Sequence, residues 1–272
     1  MPVNTLCTRL LVSGAIVLTA AANLSAQTRP AVRLTYLGNM GVLLEAGEQR
    51  VVVDALHRGE LPGYAAVPPD LLAELEGATG RLQRVDVALT THRHLDHFAA
   101  ASVAARLRSD PALHYLAPTQ IVDTLQILAG GSFGIRVHPV TPPAGGRSEL
   151  ELAGIRIAAL DLPHHQVRRS AQNLGYLIRL GGLTILHVGD ADRDPGQFAP
   201  HRLAAERIDV AIIPSWYLDQ APETIRQEIA ARTVVVSHVS PSDTAKVRQE
   251  VTRNWPGAIV LARPGEQFSL GR

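Results

Sequence analysis

The sequence predicts an α/β protein, a four-layer αβ/βα sandwich in a single domain. Three observations predict it. Short β-rich runs dominate the start and middle of the 272 residues, with helical patterns interspersed to the end. No repeat, low-complexity block or long linker divides the chain. Polar side chains recur where apolar strands stop, the place where sites gather in α/β proteins.

The opening runs "VRLTYLG" (32–38), "GVLLEAG" (41–47) and "RVVVDAL" (50–56) read as strands separated by glycine turns. "DLLAEL" (70–75) reads as a helix, and "RVDVALTT" (84–91) as a buried strand. "FAAASVAARLRSD" (98–110) is rich in the strong helix formers Ala and Leu. "HYLAP" (114–118) and "IRVHPV" (135–140) are predicted strands flanking a helix over 119–130, with Thr119 as its N-cap and Gly130 as its stop. Two hairpins follow, one turning at Gly154 and one at Gly181-Gly182. The last third alternates strands (208–214, 233–239) with helices (222–231, 242–255) and closes on a strand-like run.

Composition narrows the function classes. Apolar content of 46% with 19% charge is globular, and aromatics at 4% leave the core to aliphatic side chains. A formal net charge of +1 with no basic run gives nucleic acid and anionic membranes nothing to hold. Residues 1–26 differ from the rest: a basic start, an apolar stretch of 13 residues from Leu10 to Ala22, then small residues. That is the pattern of a secretory signal peptide cut near Ala26, and the apolar stretch is too short to span a bilayer. The expected mature domain is 27–272, periplasmic or secreted, with no transmembrane segment. The only cysteine, Cys7, leaves with the signal. Disulfides and thiolate ligands are then excluded, and any metal must be held by imidazole and carboxylate.

The strand-end polar residues are candidates for that role. Asp54 ends "RVVVD", "THRHLDHF" (91–98) follows "VDVALT", His164 and His165 follow "IRIAALDLP", Asp190 follows "LTILHVG" and His238 follows "TVVVS". His92 and His94 are two apart, so an extended segment points both the same way. Asp96 and His97 lie past the turn and can face a second position nearby. Nitrogen and oxygen donors without sulfur suit zinc, and manganese or iron as well. His187 falls inside a strand and reads as an outer residue of the site or a packing residue.

With "THRHLDHF" as its first motif, the chain resembles the metallo-β-lactamase-fold hydrolase superfamily over residues 32–270. "YLGNMGVLLE" and "ILHVGD" are most similar to the branch containing sugar-lactone hydrolases and phospholipase-D-like members. The resemblance implies a secreted or periplasmic hydrolase in which two Zn2+ ions activate a hydroxide for attack on an ester, lactone or phosphodiester bond of a small molecule. It implies that His92, His94 and His164 hold one ion, that Asp96, His97 and His238 hold the other, and that Asp190 bridges. His164 is favoured over His165 because it directly follows "LP" at the strand end; His165 is then an outer residue. Asp54 would orient a motif histidine. Asp96 would also be catalytic, orienting the nucleophile or relaying its proton. His57, Trp216 and Tyr217 are expected around the substrate pocket, and no leaving-group acid is identified. Two alternatives stand beside this reading. One is a metal-binding protein without catalysis. The other is a β-lactam hydrolase, disfavoured because such enzymes generally carry Cys or Ser where Asp190 falls.

Overall fold

Each of two seven-stranded sheets begins as an antiparallel meander and continues as a parallel sheet. The structure, a computed structural model, describes residues 1, 31–59, 62–164, 171–194 and 196–271. The expected signal segment beyond Met1, and His165, lie outside the described residues.

The first sheet takes β1 (Val32–Gly38), β2 (Gly41–Ala46), β3 (Gln49–Val53), β4 (Val87–Leu89), β5 (His114–Pro118) and β6 (Val137–Val140). The second takes β7 (Arg147–Leu152), β8 (Ile155–Asp161), β9 (Leu174–Leu180), β10 (Leu183–His187), β11 (Val210–Pro214), β12 (Thr233–Ser237) and β13 (Ile259–Val260). The chain then returns, and β14 (Gln267–Leu270) pairs antiparallel with β1. The closing strand-like run is therefore two short strands in different sheets. In each parallel half the polar strand ends open on one edge, where chemistry collects.

One face of each sheet supplies the central core. Leu34, Val42, Leu44, Val51 and Val53 of the first sheet pack with Ile157, Tyr176, Ile178, Ile185 and Ile212 of the second. The opposite face of the first sheet is covered by α1 (Pro69–Gly77), α2 (Ala100–Ser109) and α3 (Thr119–Ala129). The outer face of the second is covered by α4 (Tyr217–Gln220), the segment around it, and α5 (Thr244–Asn254). Four layers result, as the alternation of strands and helices predicts. Among the described residues no helix is long and apolar enough to cross a membrane.

Two local expectations differ. Pro118, not Thr119, is the N-cap of α3, because its extended φ of −50° and ψ of 143° end β5 and open the helix without a side-chain cap. Gly130 does stop α3, in the left-handed region at φ 70°. The helix expected over 222–231 is a π-turn, Thr224–Ile229, closed by Ala230 N–H on Ile225 O. The wider turn buries Thr224, Ile225 and Ile229 together against the second outer core.

One buried cation ties α2 to α1 and to the segment that leads into β4. The Arg106 guanidinium on α2 donates to Leu75 O at 3.1 Å, Leu82 O at 2.6 Å and Gln83 O at 3.1 Å, and pairs with Asp110 at 2.7 Å. Removing it leaves three carbonyls and a carboxylate short of a partner. Arg106→Ala is expected to cost about 3 kcal/mol of unfolding free energy. Urea denaturation checks this, and an unchanged midpoint would refute the role.

Candidate metal centre

The centre is assembled from the strand-end residues of both sheets. β4 is buried between β3 and β5, so its chain emerges at the sheet edge and turns within "THRHLDHF". His94 O accepts from His97 N–H at 3.0 Å and from Phe98 N–H at 2.9 Å, which closes the turn. Asp54, at φ 47° after β3, lies fully buried beneath it. Its carboxylate accepts Thr91 N–H at 2.7 Å, Thr91 Oγ1–H at 2.7 Å and the Nδ1–H of His97 at 2.8 Å. Three donors offset the desolvation of the charge. They also fix the His97 ring with Nε2 facing the site.

The donors fall into two groups, His92, His94, His164 and Asp190, and Asp96, His97 and His238, each offering ligand atoms within 4.8 Å of one another. Asp190 faces both. Its Oδ1 is 3.4 Å from His97 Nε2, while its Oδ2 is 3.8 Å from Nε2 of His92 and of His164 and 3.4 Å from His238 Nε2. The segment carrying Asp190 is held from behind. Asn173 Oδ1 accepts the Asp190 N–H at 3.1 Å, and its Nδ2 donates to Leu162 O and Val188 O. Gly189 sits at φ 59°, and a Cβ there would meet Asn173 Oδ1 at 2.4 Å, so "HVGD" needs its glycine. His187 is fully buried, accepting Gly189 N–H at Nδ1 and donating from Nε2 to Met40 O.

The two groups differ electrostatically. The rings of His92, His94 and His164 lie 4.6 to 4.7 Å apart, too close to share several protons. Burial, reinforced by the neighbouring imidazoles, holds His92 well below its ordinary pKa and pushes His94 down to about 4. Both are neutral, the form that binds metal. Burial acts the same way on His97 and His238, but nearby carboxylates outweigh it. Asp190, Asp54 and Asp96 raise His97 well above the ordinary value, and Asp190 with Asp96 raises His238 to about 9. Asp96, against its own burial, is drawn down to about 2, chiefly by His97 and His238.

These residues fit a metal. His92 Nε2 is buried without a hydrogen-bond partner among the described residues, although buried polar atoms are normally satisfied. Buried carboxylates hold protons on imidazoles where cations would otherwise neutralise them. The donor set is nitrogen and oxygen throughout, as zinc, manganese and iron accept.

The pocket expectations divide. The Trp216 ring lies 4.9 Å from that of His238. His57 is fully buried, with Nδ1 accepting Gly59 N–H, and burial, followed by the His97 charge, pushes it down to about 4. It packs beneath the site rather than on its wall. Tyr217 is equally buried, and its hydroxyl donates to Ala191 O and Asp192 O, bracing the chain that leaves Asp190. Two residues near the site went unnoticed in the sequence. The half-buried Tyr64 sets its ring 4.2 Å from that of His238. Asn39 donates from Nδ2 to Asp96 Oδ2 at 2.8 Å. The signal for Asn39 was a polar side chain between the glycines of an apolar hairpin; Tyr64 lies in a loop with no pattern to mark it.

A family model described as a beta-lactamase superfamily domain matches residues 33–242. A metal-dependent hydrolase of Thermococcus kodakarensis is 26% identical over 251 residues, covering 88% of this chain and 100% of the relative. A protein of Pyrococcus furiosus is 31% identical over 198 residues, covering 70% of this chain and 85% of its own. A solved metallo hydrolase from Ignicoccus hospitalis superposes with a TM-score of 0.60 at 19% identity, covering 89% of this chain and 99% of that one. A metallo-beta-lactamase fold protein of Bacillus subtilis gives 0.60 at 16%, covering 88% and 99%, and the two structures speak to the fold.

Cation uptake at Asp96, His97 and His238 must displace protons. Both imidazoles are raised, so each stays charged until the pH passes its own value, about 9 for His238. Affinity of this group for an added divalent cation should therefore rise with pH toward about 9, with protons released near neutrality. Calorimetric titration of apo-protein in buffers of different ionisation enthalpy measures that release; none at all would contradict the assignment.

Proposed function

The chain belongs to the beta-lactamase superfamily as a metal-dependent hydrolase, and from that premise we propose that it works with two divalent ions, zinc first, on an ester, lactone or phosphodiester bond of a small molecule. The observation that carries the two-ion reading is Asp190, whose carboxylate lies between the two donor groups, 3.4 Å from Nε2 of His97 and of His238 and 3.8 Å from Nε2 of His92 and of His164. In this reading His92, His94 and His164 hold one ion, Asp96, His97 and His238 the other, and Asp190 bridges. When bound, such a pair would supply Lewis acidity, lowering the pKa of a water toward neutrality and stabilising charge that builds on the substrate oxygen.

The chain's own residues supply position and proton control. Asp54 keeps His97 in one tautomer and one orientation. Asp96, an anion down to about pH 2, is a poor proton acceptor, which favours orienting the attacking water through a hydrogen bond over relaying its proton. Tyr64 sits against His238 with a phenol raised above its ordinary pKa by burial and by the charges of Asp190, Asp96 and Asp243. It stays protonated and can donate to an oxygen of the scissile group. A near-zero net charge agrees with a small substrate rather than nucleic acid. The pattern of residues 1–26 supports export.

Two experiments test this. His94→Ala and Asp190→Ala should each lose bound metal and hydrolysis on a panel of esters, lactones and phosphodiesters while keeping the wild-type circular dichroism spectrum. Wild-type metal content in both purified variants would sink the ligand assignment. Tyr64→Phe should retain both metals and lower kcat roughly 100-fold with little change in KM. Unaltered turnover would remove the phenol from the reaction.

A further inference from the structure

The β1–β2 turn, Gly38-Asn39-Met40-Gly41, touches three of the segments that carry the donors. Asn39 Nδ2 donates to Asp96 Oδ2 at 2.8 Å and lies 3.3 Å from Asp96 O and 3.5 Å from His97 Nε2. The main-chain carbonyl of the same residue accepts the N–H of His238 at 3.4 Å. Met40 O accepts from His187, which secures the Asp190 loop, and Met40 Sδ accepts from Ser237, the neighbour of His238. The turn has no slack. A Cβ on Gly38, at φ 145°, would lie 2.7 Å from Ala66 O and 2.8 Å from Val67 N.

Asn39 is buried, at 1% exposure, and adopts φ 47°, a left-handed conformation that asparagine tolerates better than most residues. Asn39 reaches every member of the Asp96–His97–His238 group, the first two through its side chain and His238 through its backbone carbonyl. Among the described residues it makes no hydrogen bond to His92, His94 or His164. That asymmetry is informative. An amide serving only the fold would have no reason to address one donor group and not the other.

We propose that Asn39 is the positioning residue of the second cation subsite. Its amide fixes the Asp96 carboxylate, and its carbonyl fixes the strained backbone of His238, at φ 53°, so that both meet the His97 Nε2 already set by Asp54. The inference rests on the two-ion reading above. Outer partners of metal ligands commonly control affinity by about 10- to 100-fold.

The test is titration of metal-free wild-type protein and metal-free Asn39→Gly with Zn2+ alone, followed by calorimetry, with melting of both apo-proteins alongside. Glycine removes the amide without straining the left-handed backbone. The variant should bind its first equivalent as the wild type does and its second about 10- to 100-fold more weakly, with an apo melting temperature close to wild type. Two equivalents bound with wild-type affinities in the variant would overturn the proposal. So would equal weakening of both equivalents, or an apo variant that no longer folds, since either assigns the amide to the fold as a whole. A wild-type protein that takes up fewer than two equivalents would instead refute the two-ion reading itself.

Discussion

The site depends on one buried carboxylate. Asp54 ends β3 beneath the turn of "THRHLDHF" and has no exposure to solvent. A carboxylate there would be costly without partners, and it has three, two of them from Thr91 and one from His97. The bonds to Thr91 set where the motif leaves β4, and the bond to His97 sets how it ends. Thr91 Oγ1 lies 3.1 Å from His92 Nδ1, so the same anchor extends to the first histidine of the motif. The Asp54 main-chain N–H bonds Leu89 O at 3.0 Å, so the carboxylate is placed by the pairing of β3 with β4 itself. Sheet geometry thereby becomes ligand geometry, with no flexible link between them.

That anchor explains why the two donor groups, a few ångströms apart, behave differently. Around His92, His94 and His164 imidazoles crowd one another, and burial keeps His92 and His94 neutral. Around His97 and His238 the carboxylates prevail over burial and call for positive charge. Asp190 belongs to both environments, and its own pKa is held well below the ordinary range by His238 and His97 despite its burial. The first group is therefore preorganised for a cation, while the second is charged with protons until one arrives.

Much of this was legible in the sequence because strand-end polarity and motif spacing are local signals. The runs ending at Asp54, His164, Asp190 and His238 all deliver those residues to one edge, and the 92–97 cluster already carried four donors. What escaped turns on side-chain direction and on contacts that strand-end spacing does not encode. His57 and Tyr217 follow strand ends as the donors do, yet both turn inward, His57 to cap Gly59 N–H and Tyr217 to bind carbonyls beyond Asp190. Asn39 lies 57 residues from the Asp96 it holds, so no spacing rule could connect them. The π-turn at 224–229 escaped because such turns are rare and the apolar spacing of Ile225 and Ile229, both buried in the outer core, also fits an α-helix.

The arrangement of the two sheets gives the site a mechanical meaning as well. Each donor group draws on both: the first combines His92 and His94 beyond β4 with His164 and Asp190 beyond β8 and β10, and the second combines Asp96 and His97 with His238 beyond β12. Protein bonds already cross the same seam, since Tyr176 on β9 donates to Thr90 O at 2.7 Å and Leu174 N–H bonds Thr91 O at 3.0 Å. Below the seam the contact between sheets is aliphatic packing, which resists separation but specifies orientation weakly. Directional bonds concentrated at the edge therefore decide how one sheet is set against the other. Cations bound there would act on the same degree of freedom, so metal affinity and the packing of the sandwich are coupled quantities.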